Sequence, residues 1–440
     1  MPQFIHFRYF LILFVSSFAC SQDWVTFEEV TDDNIQITPD LGVDDTFEKD
    51  LFAADLDNDG DADMIIVRKE RFSTPGGLPN VLAMNESGIF VDKTASLAPG
   101  FLDSEDDRDV IAVDVDNDGW LDVVTVTTFG DTPRVYMNLG NDVNNSWQGL
   151  SYIASDNRII PFLIAPKFCA IAAGDVNGDN FPDLFLADYA NDLEDRLLIN
   201  DGNGFFIDET ETRMSAAMSE SVFGTSTEIF DMNGDGFRDI VKVSSSGSSP
   251  PPGSTPPNVR VIYNDGTGNF TQMNTYEDLD PYMMELIDVN KDNKMDLFIV
   301  SDFQDKVMLN KGNDKEGYAT FLINDINNSA NTEDFGGNTF TVDLNKDGFD
   351  DMLVADVDTD IMGCDRFLVG LQNNNGNSLT DPLDGESRDW LTQGTFDISV
   401  ADFNGDGFQD LWSGTCDGNR LFFQVPPGLI FKNSFEENSN

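Results

Sequence analysis

Apolar residues in this chain come in short runs separated by polar turns. Runs at 110–113 and 396–400 stand just before a dense acidic stretch, and runs at 64–67 and 184–187 stand just after one. A third run, as at 134–138 or 195–200, leads into an Asn-Asp-Gly-type turn such as 200–204 or 264–268, and a fourth, as at 206–210, leaves it. Short apolar runs bounded by turn residues predict strands rather than helices, and Asn-Asp-Gly turns are strong hairpin signals. Four short strands in every repeat of about 58 residues predict the blades of an all-β propeller. Little of the chain reads as amphipathic helix.

The acidic stretches set the period. The pattern Asp-x-(Asp/Asn)-x-Asp-(Gly/Asn)-x-x-Asp occurs seven times. Its oxygen-bearing positions are Asp55, Asp57, Asp59 and Asp63; Asp114, Asp116, Asp118 and Asp122; Asp175, Asn177, Asp179 and Asp183; Asp231, Asn233, Asp235 and Asp239; Asp288, Asn290, Asp292 and Asp296; Asp343, Asn345, Asp347 and Asp351; and Asp402, Asn404, Asp406 and Asp410. Successive starts lie 59, 61, 56, 57, 55 and 59 residues apart. So regular a spacing means one supersecondary unit repeated, hence seven four-stranded blades.

Calcium is a hard cation that takes six to eight oxygens. Side chains at positions 1, 3 and 5 of a tight loop supply three, the carbonyl at position 7 another, and the Asp at position 9 closes the shell, with one oxygen or both. Position 6 needs a left-handed backbone. Glycine occupies it in five loops, and Asn180 and Asn293 replace it in the third and fifth, which are still expected to bind, but less tightly. An EF-hand starts the same way but requires Glu at position 12; here that position holds Ile66, Thr125, Leu186, Lys242, Ile299, Val354 and Ser413. The remaining alternative is an Asx-turn hairpin without metal, in which the converging carboxylates would repel one another. The expectation is up to seven Ca2+ ions acting as structural staples.

These loops, followed by Asn-Asp-Gly-x-Gly-x-Phe turns, resemble the FG-GAP/VCBS repeats that form the seven-bladed, integrin-α-like β-propeller. The resemblance covers about residues 24–424. It implies that the metal loops join the first and second strands of each blade at a lower rim, and that ligands are met on the upper face. The loops assigned there are long and irregular: 68–79, 154–168, 210–227, 244–257, 356–365, and 376–394 with Trp390.

The last repeat ends without a fourth strand, whereas residues 24–31 precede the first blade and match the Phe-x-Asp/Glu-x-Thr pattern of fourth strands at 90–94 and 206–210. We therefore expect residues 24–31 to supply the outer strand of blade seven, closing the ring and removing exposed edges. The domain reading is a signal peptide over 1–20, the propeller over 21–424, and a C-terminal tail over 425–440 that lies outside the ring. The apolar run 9–15 is too short to span a bilayer, and acylation of Cys20 as a lipoprotein is the alternative to simple cleavage. Export permits disulfides. Cys364 and Cys416 hold similar places in adjacent repeats and are a candidate pair; Cys169 reads as a buried thiol.

Eighty acidic against 25 basic residues give a formal charge of −55, which disfavours nucleic acid and anionic membranes. Seven divalent ions would still leave −41. The sole histidine is His6, so once a signal is removed no His base, Ser–His pair or His-ligated zinc remains. The sequence thus points to a non-enzymatic, secreted or cell-surface module that recognises a protein or glycan. A purely structural surface component is one alternative. A polysaccharide lyase is another, for which Tyr152, Tyr189 and Arg68 are the available groups.

Overall fold

The computed structural model describes residues 24–37, 47–70, 78–104, 106–129, 132–160, 162, 167–189, 194–221, 223–245, 256–277, 279–301, 304–326, 336–356, 368–376, 378–381 and 392–426. These form seven sheets, one per acidic repeat, antiparallel except for one short strand added at the edge of blade one. Blade one shows the plan: an inner strand Glu48–Ala54, the acidic loop, a second strand Asp63–Lys69, a third Val81–Asn85 and an outer Phe90–Asp92. Each inner strand touches the inner strands of both neighbouring blades, so the seven close into a ring.

Second strands read as continuous apolar runs because both their faces are covered. Met64, Ile65, Ile66 and Val67 are all fully buried, alternately packing toward the blades on either side. Seven apolar clusters result, one in each gap between adjacent blades. Among the described residues, helix is confined to short turns such as Thr31–Asn34 and Thr210–Arg213. No described helix is long and apolar enough to cross a membrane.

The ring closes as the repeat pattern predicts. Phe27–Glu29 pairs antiparallel with Gly418–Gln424, with Phe27 opposite Gln424 and Glu29 opposite Phe422. Thr31 reinforces the joint, its hydroxyl accepting the Leu421 N–H at 2.9 Å. The chain then does something its sequence pattern does not announce. After one helical turn, Ile35–Gln36 adds a fifth, parallel strand to blade one, with Ile35 opposite Phe90. A single segment therefore stitches blade seven to blade one, with Val25, Phe27 and Ile35 buried along it.

Cys416 is disulfide-bonded; its expected partner Cys364 lies outside the described residues, as do 1–20, the tail from 427, Trp390 and most of the loops assigned to the upper face. Cys169 is a free thiol, half-buried rather than fully buried, because it faces the central cavity.

Candidate metal centre

Each acidic loop joins the first and second strands of its blade, and each is wound around its own first aspartate. The position-1 carboxylate accepts the N–H groups of positions 5 and 6 in all seven loops, at 2.7–3.2 Å. This nest forces left-handed backbone at position 6, where Gly60 has φ +100° and Asn180 and Asn293 have φ +74° and +62°. It also forces left-handed backbone at position 4, as at Asn58, Asn117, Lys291 and Lys346, which is less obvious from sequence.

Position 9 has a role beyond that of a terminal ligand. In every loop one of its carboxylate oxygens accepts the N–H of position 2, and the other accepts the N–H of an Asn or Gln at or near the end of the third strand, at 2.6–3.2 Å overall. These seven aspartates are at most 1% exposed. With both oxygens already bonded, a bidentate grip on a cation is not what the geometry favours, and position 9 locks the loop to its blade. One remaining lone pair can still face the loop: ligand oxygens of Asp55, Asp57 and Asp63, and those of Asp114, Asp116 and Asp122, lie within 4.8 Å of one another.

The electrostatics fit a cation. Burial first, then Asp59 and Asp55, raise the Asp57 carboxyl; burial, Asp118 and Asp114 do the same to Asp116. At position 9, burial outweighs the N–H bonds and pushes Asp63 up to about 8, and Asp122, Asp239, Asp351 and Asp410 to about 7. Asp116 Oδ1 is buried without a hydrogen-bond partner. Crowded carboxylates with an unsatisfied oxygen are what a hard cation would satisfy. The acidic clusters can therefore hold a metal ion.

The loops are not equivalent. In the third and fourth, the amide nitrogens of Asn177 and Asn233 donate to the position-5 carboxylates, at 2.9 and 3.0 Å; a cation would require these amides to turn their oxygens inward. In the fifth, Lys294 at position 7 pairs with Asp292 at 2.9 Å, so a cation must displace an ammonium.

The set of residues that the sequence does not announce lies at or near the end of each third strand: Asn85, Asn138, Asn200, Asn264, Asn310, Asn373 and Gln424. Each side-chain amide donates across the blade gap to the position-2 carbonyl of the preceding loop, at 2.7–3.0 Å. In blades one to six its oxygen also accepts a hairpin glycine N–H. The available signal was an Asn or Gln at one fixed place in every repeat, hidden because Asn-Asp-Gly already has an explanation as a turn.

On the axis, the inner strands surround a cavity of about 350 Å³. A β-bulge near the upper end of six inner strands re-aims residues into it, among them Arg108, Cys169, Tyr282 and Phe396. Below them stand Asp50, Asp109 and Asp397, whose carboxylates accept the Val110, Ile171 and Leu51 N–H groups of the next blade at 2.5–3.1 Å. These acids staple adjacent blades. Burial raises Asp109 to about 6 and Asp397 and Glu228 to about 7, and pushes Asp50 and Glu285 well up. Their folded values exceed the ordinary values near 4, so the folded protein holds extra protons below pH 7 and loses that stabilisation as pH rises through about 6–7. In saturating divalent cation, the thermal midpoint should therefore climb as pH falls from 8 to 5, and the Asp50→Asn/Asp397→Asn pair should flatten the climb. An unchanged slope would show that these acids titrate normally.

The groups available for lyase chemistry are not brought together. Tyr189 lines the axial cavity, Tyr152 lines a separate pocket beside Arg158, and Arg68 is fully buried with its guanidinium on the Pro79 carbonyl.

Residues 55–125 and 175–242 match the FG-GAP-like repeat. This chain is a seven-bladed propeller with FG-GAP-like repeats at these two places. The two matched stretches span the first to fourth acidic loops, and the same hydrogen-bond scheme continues through the last three. No curated protein matches the chain in sequence. Among solved structures, a crystal structure of BBS1N in complex with ARL6DN is similar at TM-score 0.50 and 8% identity, covering 88% of this chain and 95% of that one. An Agrocybe aegerita lectin that recognises non-reducing terminal N-acetylglucosamine gives TM-score 0.47 and 15% identity over 85% and 87%. The V. cholerae biofilm matrix protein Bap1 gives 0.43 and 11% over 92% of each chain. At such identities the likeness concerns fold alone.

Proposed function

We propose that this FG-GAP-repeat propeller is a secreted or cell-surface recognition module, stiffened by calcium in its loops and meeting a protein or glycan ligand on the opposite face. The donor set supports calcium: every loop offers carboxylate, amide and backbone oxygens only, the ligands of a hard cation with flexible coordination. When bound, the ion supplies charge neutralisation and rigidity. The chain's own residues hold the loop in shape through the position-1 nest and the position-9 lock.

The observation that carries the recognition reading is the axial cavity. Its wall rises from the inner strands to Thr128, Tyr189 and Phe223, at the end remote from the metal loops. It combines aromatic rings with charged groups of both signs, a concave mixture suited to binding. The test is binding of the calcium-loaded protein to glycan arrays and cell-surface extracts, repeated with Tyr189→Ala/Tyr282→Ala at the mouth and Phe237→Ser on the metal-loop face. Loss with the first variant only supports the proposal, whereas equal binding by both sinks it. Release of ultraviolet-absorbing unsaturated sugars would point to a lyase instead.

A further inference from the structure

The loops touch one another, and they do so unevenly. Asn58, at position 4 of loop one, donates to the Gly119 carbonyl at position 6 of loop two at 3.3 Å. Asn117, at position 4 of loop two, donates to the Asn180 carbonyl at position 6 of loop three at 2.8 Å. Lys346 in loop six donates to the Gly407 carbonyl of loop seven and lies 3.5 Å above the Phe408 ring. Lys291 in loop five lies 4.8 Å above the Phe349 ring of loop six. Position 4 of loops three, four and seven is Gly178, Gly234 and Gly405, which have no side chain to reach forward. A second link runs all the way round: each of the third-strand Asn or Gln side chains bonds a position-2 carbonyl of one loop while its backbone N–H bonds the position-9 aspartate of the next.

We propose that cation binding is cooperative within two runs of adjacent loops, one-two-three and five-six-seven, and that the position-4 side chain carries the coupling. This rests on the reading that the loops hold cations. A cation draws the carboxylates of its loop together and steadies the left-handed position-4 backbone that the position-1 nest sets. That residue then holds the position-6 turn of the following loop in its binding shape. The next ion enters a loop already ordered, and coupling of this kind is reciprocal. Where position 4 is glycine, no position-4 side chain reaches the next loop; loop four is tied forward through the common amide ring and through Asn313 of the blade-five hairpin, which donates to the Asn233 carbonyl at 2.7 Å, so it stands outside both runs.

Trp120 sits at position 7 of loop two and provides a local probe. Terbium, a calcium-like oxygen-seeking cation, is titrated into the full chain, and emission sensitised by Trp120 is isolated as the part lost in Trp120→Phe. Emptying loop three with Asp175→Ala/Asp179→Ala should weaken loop-two binding roughly fivefold or more, within the usual range of coupling between sites. In an Asn117→Gly background, where glycine suits the left-handed backbone, the same pair should leave loop two unchanged. Emptying loop four with Asp231→Ala/Asp235→Ala should leave loop two unchanged in either background. If loop three matters equally with and without Asn117, or not at all, the coupling is overturned while the metal sites stand. If terbium does not bind and calcorimetry detects no calcium, the metal reading itself fails. Far-ultraviolet circular dichroism of each variant separates lost coupling from lost fold.

Discussion

Removing divalent cations is expected to lower the thermal midpoint of the purified protein by on the order of 20 °C. An ion that binds only the folded state adds about 2.7 kcal/mol per site when it is a hundredfold above its dissociation constant, so seven filled sites add roughly 19 kcal/mol. Unfolding entropy near 2.1 cal/mol/K per residue gives roughly 0.8 kcal/mol/K for a ring of about 400 residues, which converts that energy into the stated shift. The residues that feel the loss are identifiable. Without a counter-ion, Asp57 and Asp116 face neighbouring carboxylates, and buried Asp63 is left with only its two N–H bonds. Calorimetry with and without chelator, together with metal analysis, checks this. Stoichiometry should approach seven, with loop five filling last because Lys294 competes for Asp292. A midpoint unmoved by chelation, with few ions present, would make the loops simple turns.

The second large effect is expected from the amino-terminal stitch. A chain beginning at residue 38 loses Phe27–Glu29 from blade seven and Ile35–Gln36 from blade one. Burial of Val25, Phe27 and Ile35 goes with them, roughly 6 kcal/mol at about 2 kcal/mol per side chain. The third strand of blade seven then becomes an open edge, with Leu421 and Phe422 no longer covered from that side. We expect poor soluble yield, self-association by size-exclusion chromatography, and a lower urea midpoint for whatever monomer is recovered. Thr31→Val is the milder companion, removing the hydroxyl that accepts the Leu421 N–H and donates to Glu29, and costing about 1 kcal/mol. A truncated chain with the midpoint of the full one would mean that the closure contributes nothing.

Much of this architecture was legible because it repeats. Seven acidic loops at near-constant spacing define seven blades, and the orphan fourth-strand pattern at 27–31 had one vacancy to fill. What repeats with a second meaning was harder to see. Asn200 and Asn264 read as the first residues of hairpin turns, and their amides do serve those turns; that the same amides cross to Val115 and Val176 of the preceding blades depends on how blades stack. Asp50, Asp109 and Asp397 lie inside strands, where an acid looks like an outward-facing residue. Only ring closure makes that edge an interior. Ile35–Gln36 is two residues long and pairs parallel, so it has no pattern to announce it. The Lys294 pairing with Asp292 is not legible in the pattern because position 7 enters the ligand set through its carbonyl alone, which places no demand on its side chain.

The ring is closed by partners at opposite ends of the chain: Phe27 pairs with Gln424. A ribosome working at about 5–20 residues per second makes the first strand wait roughly 20–80 s for its mate. Blades one to six can stack in order as they emerge, since each gap is filled by neighbours in sequence, but blade seven cannot be finished until its last strand arrives. Through that interval the first strand is a loose end seeking an edge. The edge it finds first need not be its own. Refolding at high concentration should therefore yield pairs of chains that have exchanged first strands, while dilution should return monomers.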